Sequence, residues 1–189
     1  RLPTCALDRH DPASGGATGG GEPFRDYARE AERSRMAEAL ASVKTKLGRL
    51  YPLLVGSQAV ETSQTLTVRN PAHPDEMGGR VARASLVEAN QAVRLAEAAQ
   101  PLWAKTPVSE RAACLSRAAK LMRNERDELA AWEILEGGKP WREADADVVE
   151  AIDYLDYYSR CMLELAKGRP LAQIPGERNE YVYSPRGVA

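Results

Sequence analysis

Apolar positions recur at three- and four-residue steps through most of this chain, and the longest such stripe is the one the rest is arranged around. Trp141, Ala144, Val148, Ile152, Leu155, Ser159, Met162 and Ala166 follow that spacing between the breaker Gly137-Gly138-Lys139-Pro140 and Gly168. The spacing predicts one helix of about seven turns with an apolar or small stripe. Glu143, Asp147 and Glu150 share a second face, about 200° from the apolar one by helix geometry. The plain reading of that acidic row is a solvated face. The sharper reading is that one carboxylate borders a cleft and meets a cationic ligand.

The same stepping marks the other helices. Phe24, Tyr27, Ala31, Met36, Leu40, Val43 and Leu47 predict an amphipathic arm over 24–50, closed by Gly48 and Pro52. Ser85-Leu86-Val87-Glu88 has the form of a capping box, and Ala89, Val93, Ala96, Ala99 and Trp103 mark the face expected to be buried behind it. Thr106-Pro107 starts the next helix, with Val108, Ala112, Leu115, Ala119 and Met122 facing the core. Leu129, Trp132 and Leu135 give a short helix stopped by Gly137-Gly138.

Period-two alternation appears in two places. Thr65–Asn70 and Gly79–Ala84, separated by Asn70-Pro71 and His73-Pro74-Asp75 turn chemistry, predict a small antiparallel sheet within 51–84. Glu180–Ser184 predicts a further strand in the region 180–189, whose edge groups would be unpaired if nothing covers it. Residues 1–23 are rich in glycine and poor in large apolar side chains, the composition of a flexible tail or linker. The expected organisation is therefore that tail followed by one domain over 24–189, with packed helices over 85–167. The fold class read from the pattern is α+β, rich in helix.

Composition removes several function classes. With 189 residues, 43% hydrophobic and 28% charged, the chain suits one ordinary soluble domain. Lys+Arg 26 against Asp+Glu 27 gives a net charge of -1, which makes no electrostatic case for nucleic acid or an anionic membrane. No apolar run reaches the roughly 18–20 residues of a membrane span, and no signal peptide is visible. Cys5, Cys114 and Cys161 are scattered and odd in number, so neither a disulfide framework nor a zinc site is expected, and a cytoplasmic location is the default. His10 reads as a solvated side chain and His73 as a turn residue. No dinucleotide fingerprint, phosphate loop, zinc-protease motif or nucleophile elbow is present. The chain lacks an initiator Met and stops within a strand-like stretch, which reads as a segment of a larger protein.

The order of elements resembles the N-terminal part of an aldehyde dehydrogenase. The resemblance rests on YPLLVGSQAV, TVRNPAHPDEMGGRVARAS, PLWAKTPVSERAACLSRAAKLM, ILEGGKPWREADADVVEAIDYLDYYS and EYVYSPRGVA. The arm from GEPFRDY to GRLYPLLVG, together with EADADVVEAIDYLDYY and PGERNEYVYSPRGVA, is similar to the branch that oxidises 1-pyrroline-5-carboxylate, in its open form L-glutamate γ-semialdehyde. The likeness runs over roughly 22–189, and the same module forms part of bifunctional proline utilization proteins.

That resemblance implies an α/β aldehyde dehydrogenase-like fold for the whole protein. It implies NAD as cofactor, bound by parts outside this chain, with FAD only if a proline dehydrogenase domain is attached. In the family reaction a cysteine thiolate attacks the aldehyde, hydride passes to the nicotinamide, and a glutamate-activated water releases the acid. None of Cys5, Cys114 or Cys161 has the nucleophile's context, so no catalytic residue is assigned and the segment alone is expected to be inactive. One substrate-side position carries over: the glutamate of DVVEAID, Glu150, which in this branch borders the pocket near the substrate's amino group. The partners implied are a small aldehyde, the remainder of the chain and further copies in a homo-oligomer. Two alternatives stand beside this reading: a dehydrogenase for another ω-semialdehyde, and a non-catalytic helical module whose acidic helix binds a basic partner.

Overall fold

The computed structural model describes residues 21–189; the expected tail and linker, with Cys5 and His10, lies almost wholly outside them. Among the described residues there are five helices and two small sheets, and these residues divide into two units. One gathers residues 21–24, 106–124 and 149–185; the other gathers 25–105, 125–148 and 186–189.

In the larger unit, helix α1 (Glu30–Lys44) buries Met36 and Val43. It starts later than the apolar stepping predicts. Asp26 is the reason: its Oδ1 accepts from the Ala28 amide at 3.1 Å and its carbonyl from the Arg29 amide at 3.0 Å, a local turn that competes with helix. Tyr27 therefore precedes the helix and lies edge-on to Trp141, with ring centroids 5.6 Å apart.

Strand β1 (Leu50–Tyr51) follows, then the hairpin β2 (Leu53–Val55) and β3 (Gln58–Val60), then β4 (Thr65–Asn70) and β5 (His73–Ala82). The main sheet has the order β1-β5-β4. β4 and β5 are antiparallel, as expected, but β1 runs parallel to β5, with Leu50 opposite Arg80 and Tyr51 opposite Val81. The expected all-antiparallel sheet is corrected at that edge. β1 enters from a helix and reaches β5 only through a long connection, so no tight turn reverses its direction. The strand expected at Gly79–Ala84 is the second half of β5, and His73 opens that strand. The turn itself is Pro71-Ala72, where buried Asn70 accepts from the Ala72 amide through Oδ1 at 2.9 Å and donates to Glu76 through Nδ2 at 2.6 Å.

Helix α2 (Leu86–Lys105) opens with the expected reciprocal cap. The Ser85 hydroxyl accepts from the Val87 amide at 3.1 Å, one residue nearer than the spacing predicts, and Glu88 accepts from the Ser85 amide at 2.7 Å. Its predicted buried face is a correction: no residue of α2 is buried, and Val93 and Trp103 are each 50% exposed. Periodicity marks which face is apolar but not what lies against it.

Helix α4 (Arg126–Gly137) buries Ala130, Ala131 and Leu135, and Gly138 ends it in the left-handed conformation at φ 67°, donating to the Ile134 carbonyl at 3.1 Å. In the smaller unit, helix α3 (Val108–Asn124) buries Ala112 and Ala119 of its predicted stripe. Helix α5 (Trp141–Leu165) spans the long predicted run, and Ala144, Val148, Ile152 and Ser159 of its stripe are buried. The strand expected at 180–184 does not form. The segment finds no strand partner among the described residues, and alternation without a neighbouring ladder leaves its backbone groups unpaired.

Candidate functional site

The first turns of α5 belong to the larger unit. Pro140 supplies the carbonyl that accepts from the amides of Glu143 and Ala144, both at 3.0 Å, and its missing N–H costs nothing at a helix start. Asp145 points inward and is 1% exposed. Arg126 meets it through Nε to Oδ1 at 2.7 Å and Nη2 to Oδ2 at 2.8 Å, and the Arg25 amide donates to Oδ2 at 2.9 Å. Asp147, a member of the predicted acidic row, is paired with Lys139, which also reaches Glu133 at 3.0 Å. Glu143 is exposed.

The remainder of α5 belongs to the smaller unit. Val149 and Ile152 are buried, and the Ser159 hydroxyl donates to the Ala112 carbonyl at 3.0 Å and lies 2.9 Å from the Ser116 hydroxyl. These small residues fix α5 against α3. Two acids of this stretch are occupied: Asp153 accepts from the Glu22 amide at 2.8 Å, and Asp156 pairs with Arg123 at 2.5 Å, while Arg123 also holds Glu22 at 2.6 Å.

Glu150 is different. It is exposed, and Tyr154 follows it one helical turn on. The nearby Glu150 charge, the largest cause, raises the Tyr154 hydroxyl above the ordinary phenol range. Tyr154 in turn stacks on Tyr158, with centroids 6.0 Å apart and planes 20° from parallel, and Tyr157 meets Tyr158 edge-on at 5.2 Å. A carboxylate beside exposed aromatic rings is a surface suited to a cation, through charge and through the ring faces. The tyrosine ladder at i, i+4 and i+8 from Glu150 was legible in the sequence as spacing, yet the apolar-stripe reading passes over it because tyrosine sits on the other face.

A separate apolar hollow lies in the larger unit, lined by Leu47, Tyr51, Val68, Gly78, Gly79, Val81, Trp132, Leu135 and Glu136. It contains no nucleophile, and Glu150 is not part of it. Cys114 and Cys161 are free and half-buried, and Cys114 lies 3.1 Å from an Arg117 nitrogen. No described strand passes through a glycine-rich turn into a helix N-terminus, so these residues do not form a dinucleotide cradle. Among the described residues there is no helix long and apolar enough to cross a membrane.

Comparison with known proteins places this geometry. Residues 59–189 match the model of the aldehyde dehydrogenase family. The 1-pyrroline-5-carboxylate dehydrogenase of Bacillus pumilus (strain SAFR-032) is 46% identical over 167 residues, covering 88% of this chain and 32% of the relative. The crystal structure of 1-pyrroline-5-carboxylate dehydrogenase from Thermus with bound NAD superposes with a TM-score of 0.86 at 38% identity, covering 91% of this chain and 34% of that one. Proline utilization A from Bdellovibrio bacteriovorus, inactivated by N-propargylglycine, superposes with a TM-score of 0.86 at 36% identity, covering 88% of this chain and 17% of that one. The chain spans about a third of the length of the curated relatives it matches.

Proposed function

This chain belongs to the aldehyde dehydrogenase family, and from that premise we propose that the whole protein oxidises L-glutamate γ-semialdehyde, the open form of 1-pyrroline-5-carboxylate, to L-glutamate with NAD. The observation that carries this is the 46% identity to a 1-pyrroline-5-carboxylate dehydrogenase over 88% of the chain. NAD supplies the hydride acceptor and is held by parts of the protein outside this chain, as are the reacting thiolate and its base.

What this segment contributes is substrate recognition. Glu150 presents its carboxylate outward from a helix whose opposite face is anchored by Ile152 and Ser159. A negative group there complements the α-ammonium of the substrate and selects it from unsubstituted aldehydes; it takes no part in bond making. The working protein is a cytoplasmic homo-oligomer. The likeness to proline utilization A supports an attached proline dehydrogenase domain, which would bring FAD with it.

The test is NADH formation by the protein at the full length of its relatives, with NAD and a panel of aldehydes. Preference for glutamate semialdehyde supports the reading. Equal or greater kcat/KM for another ω-semialdehyde changes the substrate and keeps the family, and no NAD reduction with any aldehyde removes the activity.

A further inference from the structure

We propose that the apolar face of α2 is a docking seam for the part of this protein that has no counterpart in the present chain, about two thirds of its length by comparison with its relatives. Leu86, Ala89, Val93, Ala96 and Trp103 fall within an arc of about 100° around the helix axis, and all five are exposed. Gln100 is the one polar residue in that arc, and no charged residue falls in it. The other four helices each bury residues of their own stripe, whereas α2 buries none. Among the described residues, the hairpin β2–β3 meets α2 on a different side. Its turn approaches Leu95, whose Cδ1 lies 3.5 Å from where a Cβ at Gly56 would be, and Leu95 is two residues, about 200°, from Val93. A helix in a protein draws most of its stability from packing its apolar face. A contiguous apolar surface of this kind marks an interaction site, and the lack of charge within the arc suits a permanent, dry contact. The occupant follows from length. The match takes up 32% of the Bacillus pumilus relative, and the superposed stretch 34% of the Thermus chain, so most of such a protein is available to cover this third. A tethered segment is present at an effective concentration on the order of mM, well above that of a free second copy, so the protein's own remainder reaches the seam first.

The test uses the protein at the full length of its relatives, and its readouts are independent of aldehyde turnover. Val93→Cys puts a thiol on the seam, and Gln91→Cys puts one on the opposite, polar face of the same helix. Both introduce a small side chain that a packed face tolerates, so folding is not at stake. Labelling of the native protein by a maleimide is followed at each site by peptide mass spectrometry. The expected result is labelling at least about tenfold slower at Val93→Cys than at Gln91→Cys, since a docked face must open before it reacts. Equal rates overturn the seam. The occupant is read separately, by a benzophenone amino acid in place of Trp103 followed by irradiation. The expected adduct runs at the mass of one chain on a denaturing gel and joins position 103 to a peptide outside the sequence of this segment. An adduct at twice that mass overturns the own-chain occupant and assigns the face to a second copy. An adduct confined to residues of this segment overturns the proposal as well.

Discussion

Arg126 and Asp145 form a buried, two-pronged ion pair, Nε to Oδ1 at 2.7 Å and Nη2 to Oδ2 at 2.8 Å, at positions 4% and 1% exposed. The pair joins α4 to the first turns of α5, and the Arg25 amide adds a third bond to the same carboxylate. Removing one partner leaves a charge in a dry interior. Asp145→Ala is expected to destabilise the protein by about 3–5 kcal/mol in denaturant unfolding, while replacing both partners with Met and Leu costs much less. Equal losses in the single and double variants would contradict this account of the pair.

Gly138 ends α4 in the left-handed region, and a Cβ there would lie 2.7 Å from Pro71 Cγ in the β4–β5 turn. Its neighbour Gly137 has no such constraint: a Cβ there meets Lys139 Cγ at an ordinary 3.7 Å. Gly138→Ala is expected to cost at least about 1–2 kcal/mol from the backbone alone, with the proline clash added. Gly137→Ala is expected to be neutral or to stabilise by up to about 1 kcal/mol. The comparison is read from paired thermal melts.

Tyr27 predicts a stability limit at high pH. Burial first, and then the nearby charge of Asp145, push its hydroxyl from 10.0 to about 12. Above pH 10 the unfolded chain loses this proton before the folded one does, so folding stability falls as pH rises from about 10 to about 12. Below 10 the contribution is fully present. The hydroxyl also has no hydrogen-bond partner among the described residues. Tyr27→Phe, which keeps the ring against Trp141, is therefore expected to hold or raise the melting temperature at neutral pH and to flatten the loss between pH 10 and 12. A clear drop at neutral pH would mean that the hydroxyl is bonded after all.

What could be read from the residues followed from local rules. The stripe of α5, the Ser85–Glu88 cap and the Gly138 stop each depend on spacing or on one backbone conformation, and each is where the pattern put it. The aldehyde dehydrogenase likeness was legible from the order of short stretches. What failed depends on partners distant in the chain. The face of α2 is apolar but uncovered, and residues 180–184 alternate without a strand to pair with. The start of α1 was displaced because Asp26 offers the backbone a competing turn that apolar stepping does not register. The outward direction of Glu150 was legible, whereas the stacking of Tyr154 on Tyr158 beside it needed side-chain positions.

The most direct test of the central claim is the pair of KM values for Glu150→Ala, measured in the protein at its relatives' full length with NAD saturating. The account predicts a KM for glutamate semialdehyde raised by about tenfold or more, the loss of one charge-assisted contact, with the KM for a simple aliphatic aldehyde changed less than about twofold. An equal change for both aldehydes would contradict it.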